Sequence, residues 1–159
     1  MKASGLSDIK KELEFLEPKK LLELCISLAK YKKENKEYLG FLLFDAHDKN
    51  QFMQDVKDEM DEHYDALRTQ NNLYYVKKSL RKLLRIISKY TKYVDDKGLS
   101  AEMYIYFCMK LKTSGIPYHK SQMLVNMMEQ QLKKINTLIT TLHPDLQTDF
   151  LNDLEKIMR

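Results

Sequence analysis

The stretch NNLYYVKKSLRKLLRIISKYTKYV, residues 71–94, decides the fold class. Its apolar residues recur every three or four positions, which is the spacing of one face of an α-helix. This apolar stripe consists of Leu73, Val76, Leu80, Leu83, Ile87, Tyr90 and Val94. The segment contains no Asp or Glu, and cations line its other side. We therefore predict a long amphipathic helix with one buried face and one basic face.

The sequence immediately before this helix is acidic. Residues 45–65 carry eight acids and two lysines, a charge of −6, in a chain whose net charge is +4. Residues 66–94 carry eight cations and no acid, a charge of +8. The linking sequence TQNN is short, so we predict that an acidic helix over residues 49–68 folds back beside the basic one as an antiparallel hairpin.

Helical spacing also extends through the remaining sequence. Pro18 suits the first turn of a helix, because the N–H that proline lacks would have no partner there anyway. The run MYIYFCM, residues 103–109, is apolar on nearly every side, which predicts a central, buried helix. Gly98 is predicted to end the basic helix in the left-handed conformation, with Ser100 or Leu99 beginning the next helix.

A further helix is predicted after the polar connection KKENKE, residues 32–37, with Asn35 as its cap. Gly40 inside this helix costs roughly 1 kcal/mol relative to alanine, which predicts a close crossing with another helix. The predicted buried face of the helix consists of Tyr38, Leu39, Leu42, Leu43 and Ala46.

These patterns predict an all-α fold. Four glycines and three prolines in 159 residues leave few of the turns that an all-β fold needs. We predict one domain, residues 1–159, built from seven to eight helices in antiparallel hairpins. A closed bundle and a short α-α array are both compatible with the sequence.

The first three predicted helices, and especially the stretch LAKYKKENKEYLGFLLFD, residues 28–45, resemble an uncharacterised family of small all-helical bacterial proteins. The resemblance continues in YYVKKSLRKLLRIISKY, residues 74–90. The resemblance extends over about half of the chain and includes no catalytic signature. It implies an all-helical fold, and it implies no activity and no site residues.

The basic face of residues 71–94 is the main candidate site. Cations at helical spacing can follow a phosphate backbone, and Tyr75 and Tyr93, near the two ends, can stack on bases. The alternative is that the cations complement acidic residues of the neighbouring helix, and we favour it because surface charge runs are commonly solvated faces. The candidate cations are Lys78, Arg81, Lys82, Arg85, Lys89 and Lys92, and the acids that would complement them are Asp55, Asp58, Glu62 and Asp65.

No pattern in the sequence indicates an enzyme. A di-iron bundle requires a Glu with a His three residues later on each of two helices, whereas Glu59 and His63 are four residues apart. We expect His63 to lie on the apolar stripe of the acidic helix as a hydrogen-bonded core or edge residue. We therefore predict no catalytic residues, no metal and no cofactor.

Cys25 and Cys108 both fall within apolar helical patterns. We predict that both are buried, reduced thiols, as expected in a reducing compartment. The sequence also has no signal-peptide pattern and no apolar run of roughly 18 residues. These features favour a cytoplasmic protein without membrane contact. The leading functional hypothesis is a non-enzymatic helical interaction or scaffold protein with a protein partner, with homo-oligomers as one form. The alternative is a nucleic-acid-associated protein that uses the basic face of residues 71–94.

Overall fold

The computed structural model describes residues 4–158, and every regular element in this range is helical. The predicted all-α fold is therefore confirmed. A π-helical segment, Phe41–Asp45, follows the third helix, and a 3-10 turn, Tyr118–Lys120, precedes the seventh. The eight α-helices are α1 (Leu6–Glu14), α2 (Pro18–Tyr31), α3 (Lys33–Gly40), α4 (Lys49–Leu67), α5 (Leu73–Val94), α6 (Lys97–Thr113), α7 (Gln122–Ile139) and α8 (Pro144–Met158).

Backbone contacts divide the chain into two compact units, Met1–Asp45 and Ala46–Arg159. The first unit contains α1, α2, α3 and the π-helical segment, and the second contains α4 to α8. The single domain over residues 1–159 stays a prediction, and residues 1–3 and 159 lie outside the described range.

Helix α6 is the centre of the second unit and packs against α4, α5, α7 and α8. A helix that is apolar on every side has to be covered by several neighbours at once. The prediction of a central, buried helix from the run MYIYFCM is confirmed. The buried side chains of α6 are Ala101, Met103, Tyr104, Ile105, Phe107, Cys108 and Leu111.

Helices α4 and α5 form the predicted antiparallel hairpin. The ring of Phe52, near the start of α4, packs edge-on against the ring of Tyr90, near the end of α5, with centroids 5.3 Å apart. The Asn72 side chain accepts a hydrogen bond of 2.9 Å from the Tyr74 backbone N–H and so caps the start of α5. The apolar stripe of α5 faces the core, with Val76, Leu80, Leu83, Ile87 and Val94 buried.

The acidic helix α4 directs part of its charge at α6. Asp61 accepts a hydrogen bond of 2.7 Å from the Tyr106 hydroxyl and forms an ion pair of 2.8 Å with Lys110. Lys57 of α4 also forms an ion pair with Glu102 of α6. Burial raises the pKa of Asp61, but the hydrogen bonds from Lys110 and Tyr106 outweigh this effect, so the pKa lies below its ordinary value. The α4–α6 contact is therefore partly electrostatic.

This ion pair predicts a pH-dependent stability. A carboxylate with a lowered pKa stabilises the fold above its unfolded pKa, and the contribution disappears as the pH falls through the folded value. Because both partners are partly exposed, we expect Asp61→Asn to lower the free energy of unfolding by only about 0.5–1.5 kcal/mol at neutral pH. Urea denaturation at neutral pH and near pH 3, below the ordinary pKa of Asp, should show this difference shrinking with acidity.

Asp58→Asn is the matched control for this prediction. The Asp58 carboxylate accepts its hydrogen bond from Gln54 of the same exposed helix face and has no partner on α6. We expect a loss within about 0.5 kcal/mol for this variant. Equal losses for the two variants, or a loss for Asp61→Asn that persists at low pH, would contradict the proposed role of Asp61.

The junction between α5 and α6 differs from the prediction. The left-handed residue that ends α5 is Asp95, with φ of 49°, and Gly98 lies inside the first turn of α6. The Asp96 side chain accepts a hydrogen bond of 2.9 Å from the Leu99 backbone N–H, so α6 begins earlier than predicted. Aspartate tolerates the left-handed conformation, and a second aspartate is a strong N-cap, which makes glycine unnecessary at this junction.

The first unit departs furthest from the predictions, because no side chain of α1, α2 or α3 is buried. The predicted buried face of the third helix is wrong at Tyr38, Leu42 and Leu43, which are exposed. Helix α3 changes to π-helical geometry after Gly40, so the side chains beyond it rotate away from the spacing that an α-helix would give. A Cβ atom at Gly40 would meet nothing within 4 Å, so the predicted close crossing is also wrong.

Two further details of the first unit differ from the predictions. Asn35 lies inside α3 and not at its start, and its side-chain amide donates a hydrogen bond of 2.9 Å to the carbonyl of Leu28 in the last turn of α2, so it caps the end of α2. Cys25 is exposed, whereas Cys108 is buried as predicted, and both are free thiols. Cys25 lines an open groove together with residues of α3.

Candidate functional site

The cations of α5 point away from the core. Since the apolar stripe is buried, side chains on the opposite side of the helix have to face solvent. Lys77 and Lys89 are half-buried, and the Nζ atom of Lys89 lies 4.5 Å from the centroid of the Tyr90 ring. The exposed cations are Lys78, Arg81, Lys82, Arg85 and Lys92.

These five exposed cations form no ion pair with any acid among residues 4–158. The prediction that they complement the acids of α4 is therefore wrong. Asp55 accepts a hydrogen bond from Gln51 within α4, and Asp65 pairs with Arg68. The acids of α4 are used along their own helix or against α6, because the rotation of α4 directs Asp61 towards α6 and not towards α5.

An open groove of about 500 Å³ runs along this basic face. Among the described residues no carboxylate lines it. Its lining residues lie on one face of the helix, at positions 74, 77, 78, 81 and 85, so that an aromatic ring is followed by four cations. They are Tyr74, Lys77, Lys78, Arg81 and Arg85.

Two smaller grooves adjoin this one. The first, of about 260 Å³, shares Lys78 and Arg85 with the large groove and adds Lys82 and the second tyrosine, Tyr75. The second, also about 260 Å³, shares Arg81 and reaches α7. The residues of α7 that line it are Met123, Asn126, Met127 and Gln130. The basic face is therefore continuous, with amide side chains at one edge.

The two tyrosines at the start of α5 are exposed. The rings of Tyr74 and Tyr75 lie 5.6 Å apart at an angle of 78°, and the residues are 66% and 54% exposed. Tyr93, the other predicted stacking residue, is half-buried with its ring 5.9 Å from that of Tyr90. Aromatic surface is therefore concentrated at the N-terminal end of the basic face.

Tyr74 and Lys77 line the groove but are not among the site residues predicted from the sequence. Both stand in the same helical row as Lys78, Arg81 and Arg85, and the spacing 74, 77, 78, 81, 85 would have identified them. The Nζ atom of Lys77 also lies 3.3 Å from the sulfur of Met123, which places the start of α7 beside the groove.

The chemistry available at this face is anion binding. Arginine offers a planar set of donors that can bind a phosphate bidentately, and lysine adds a mobile point charge. The positive end of the α5 helix dipole lies next to Tyr74 and also attracts anions. Among residues 4–158 no three carboxylate, imidazole or thiol side chains are grouped in a way that could hold a metal ion.

Comparisons with known proteins give no relative: no family model, no curated protein and no solved structure matches the chain. The resemblance to an uncharacterised family of small helical proteins therefore stays a prediction. Within residues 4–158 no helix combines the length and the apolar character that crossing a bilayer requires.

Proposed function

We propose that the protein binds single-stranded nucleic acid through the outward face of α5. The observation that supports this proposal is the set of five exposed cations with no acidic partner among residues 4–158. Pairing of these cations with the acids of α4 would favour the hypothesis of an interaction or scaffold protein over nucleic-acid binding. Without that pairing, a polyanion is the ligand class that fits the face best.

The dimensions of the face suit a chain of phosphates. The exposed cations from Lys78 to Lys92 extend over about 21 Å at the rise of an α-helix. A single phosphate would use one or two of these side chains and leave the others uncompensated. A nucleic acid presents negative charge at regular intervals and releases counterions at every contact, which is how such faces gain affinity.

The tyrosine pair favours single strands over duplexes. Tyr74 and Tyr75 are exposed at the end of the cation row, where unpaired bases could stack on their rings. The bases of a duplex are already stacked on one another, so a duplex would contact the cations but its bases would not stack on the tyrosine rings. The amides of Asn126 and Gln130 along the opposite edge add donors and acceptors for exposed base edges.

Fluorescence anisotropy with labelled oligonucleotides of about 20 nucleotides tests the proposal. We expect micromolar binding of single-stranded DNA and RNA at about 50 mM salt. With about four phosphate contacts, the affinity should fall roughly 50-fold when salt is raised to about 200 mM. A duplex of the same length should bind more weakly.

Two sets of variants locate the site. The first is a triple variant that combines Lys78→Ala, Arg81→Ala and Arg85→Ala. We expect it to bind oligonucleotides at least about tenfold more weakly and with a flatter dependence of affinity on salt. Tyr74→Ala with Tyr75→Ala should weaken single-strand binding about 5- to 150-fold and leave duplex binding unchanged. The charge-matched control removes three exposed lysines elsewhere in the second unit, by changing Lys49, Lys97 and Lys156 to alanine.

Three outcomes would overturn the proposal. The first is no binding of any oligonucleotide at low salt. The second is an equal loss of affinity in the control variant, which would indicate attraction by net charge alone. The third is a preference for duplex that the tyrosine variants do not alter, which would make double-stranded nucleic acid the ligand.

A further inference from the structure

The first unit exposes most of the large apolar side chains found at the surface of the described chain. Thirteen of the twenty exposed large hydrophobic residues fall between Leu6 and Phe44, with exposed fractions from 37% to 87%. Single exposed apolar residues are ordinary, but a concentration of this kind within about 40 residues marks an interaction surface.

A groove of about 290 Å³ between α2 and α3 lies within this surface. Among the residues that the structure describes, its lining carries no charge, and the amide of Asn35 already donates a hydrogen bond to the Leu28 carbonyl. Such a groove offers apolar contact and little else, so it suits the apolar face of another helix. The lining residues are Cys25, Leu28, Ala29, Asn35, Tyr38, Leu39 and Leu42.

Helix α1 supplies an apolar ridge of the matching kind. It has Ile9 and Leu13 on one face and exposes Leu6 and Phe15 near its two ends. Within its own unit α1 packs against no helix as extensively as α2 packs against α3. The same unit therefore carries both an apolar groove and an amphipathic helix with exposed apolar side chains.

The charges and the area favour self-association. Residues 4–45 contain eight lysines and eight acids, so two copies of this unit do not repel one another, and nothing selects a strongly charged partner. At roughly 150 Å² for a large apolar side chain, the exposed parts of the α1 ridge and of the α2–α3 groove amount to roughly 600 Å² of apolar surface on each copy. A standard protein interface buries about 800 Å² on each partner.

From these observations we propose that the first unit docks a second copy of this chain, with α1 of each copy in the α2–α3 groove of the other. Such a contact is isologous, because each copy offers the same ridge and the same groove, and it closes at a dimer. The inference stands independently of the proposed nucleic-acid binding, since it uses no residue of the second unit.

Sedimentation velocity over a range of protein concentrations, without nucleic acid, tests the dimer. We expect the mass to rise from 18.9 kDa to twice that value, with a midpoint in the micromolar range. Leu28→Glu with Leu42→Glu should keep the chain monomeric, since both residues line the groove and are 61% and 49% exposed. Leu146→Glu with Leu151→Glu, at equally exposed positions of α8, is the matched control and should leave the dimer intact.

Cys25 provides a second measurement that does not depend on mass. It is exposed and lines the groove, so its reaction with a thiol reagent should slow several-fold as the protein concentration rises through the dimerisation midpoint. The groove variant should lose this concentration dependence. A chain that stays monomeric up to about 100 μM overturns the inference. A dimer that survives the groove substitutions, or that the α8 control disrupts equally, overturns it as well.

Discussion

Phe107→Ala should lower the free energy of unfolding by about 3–5 kcal/mol, the usual cost of removing a fully buried aromatic ring. Phe107 has no exposed surface and lies in the middle of α6. Its ring packs against that of Tyr64, with centroids 6.1 Å apart, and its carbonyl accepts a hydrogen bond of 2.9 Å from the Tyr64 hydroxyl. Because alanine has a high helix propensity, the loss in the free energy of unfolding would come from the cavity left by the ring and not from a weakened helix.

Met109→Ala is the control for this prediction, because Met109 lies two residues later in the same helix and is exposed. We expect a change within about 0.5 kcal/mol for that variant. Urea denaturation followed by circular dichroism measures both values. A loss below about 1 kcal/mol for Phe107→Ala would mean that α6 is not the centre of the second unit.

The two cysteines should differ in reactivity by at least about 1,000-fold. Burial raises the pKa of the Cys108 thiol to about 12, so near pH 8 almost none of it is the reactive thiolate. The side chain is also fully buried, and a reagent has to wait for the second unit to open. Cys25 is exposed on α2 and meets the reagent directly.

A disulfide reagent added to native protein at about 0.1 μM, below the proposed dimerisation range, should therefore release one equivalent quickly and a second only after denaturation. Cys25→Ser and Cys108→Ser assign the two phases. Two fast phases would contradict the burial of Cys108, and the absence of any fast phase would contradict the exposure of Cys25.

The spacing of apolar residues along the chain was sufficient to predict the buried face of the helices that have one clear apolar stripe. In α5 the steps of three and four identified Leu80, Leu83 and Ile87 as core residues before any tertiary contact was known, and all three are buried. The basic face was predicted by the same argument, since the side opposite a buried stripe faces solvent. For these features the information lies within one or two turns of the chain.

Features that depend on distant partners were not predicted. The apolar seam of α4 passes through Tyr64 and not His63, although either residue continues the helical spacing, and the Tyr64 hydroxyl donates a hydrogen bond to the carbonyl of Phe107, 43 residues away. Asp61 of α4 pairs with Lys110 of α6 and not with a cation of α5. Which of these helices Asp61 faces depends on how α4 is rotated about its own axis relative to its neighbours. Periodicity within one helix contains no information about that rotation.

The first unit illustrates a different limit. Its helices also carry apolar residues at helical spacing, yet Leu28, Leu42 and Cys25 are exposed. Hydrophobic periodicity reports that a face is suited to burial, but it does not say whether the same chain or another molecule covers that face. Exposure at these positions could be learned only from the arrangement of α2 and α3.

The enclosed position of α6 has a consequence for how the second unit comes apart. Its sides are covered by α4, α5, α7 and α8, so the departure of any one of these helices uncovers apolar surface on α6. Partial opening therefore carries a large free-energy cost whichever helix leaves first, and intermediates that retain α6 are poorly populated. We therefore expect the amide protons in the buried middle of α6 to exchange with solvent through unfolding of the whole unit, so that their exchange reports its global stability.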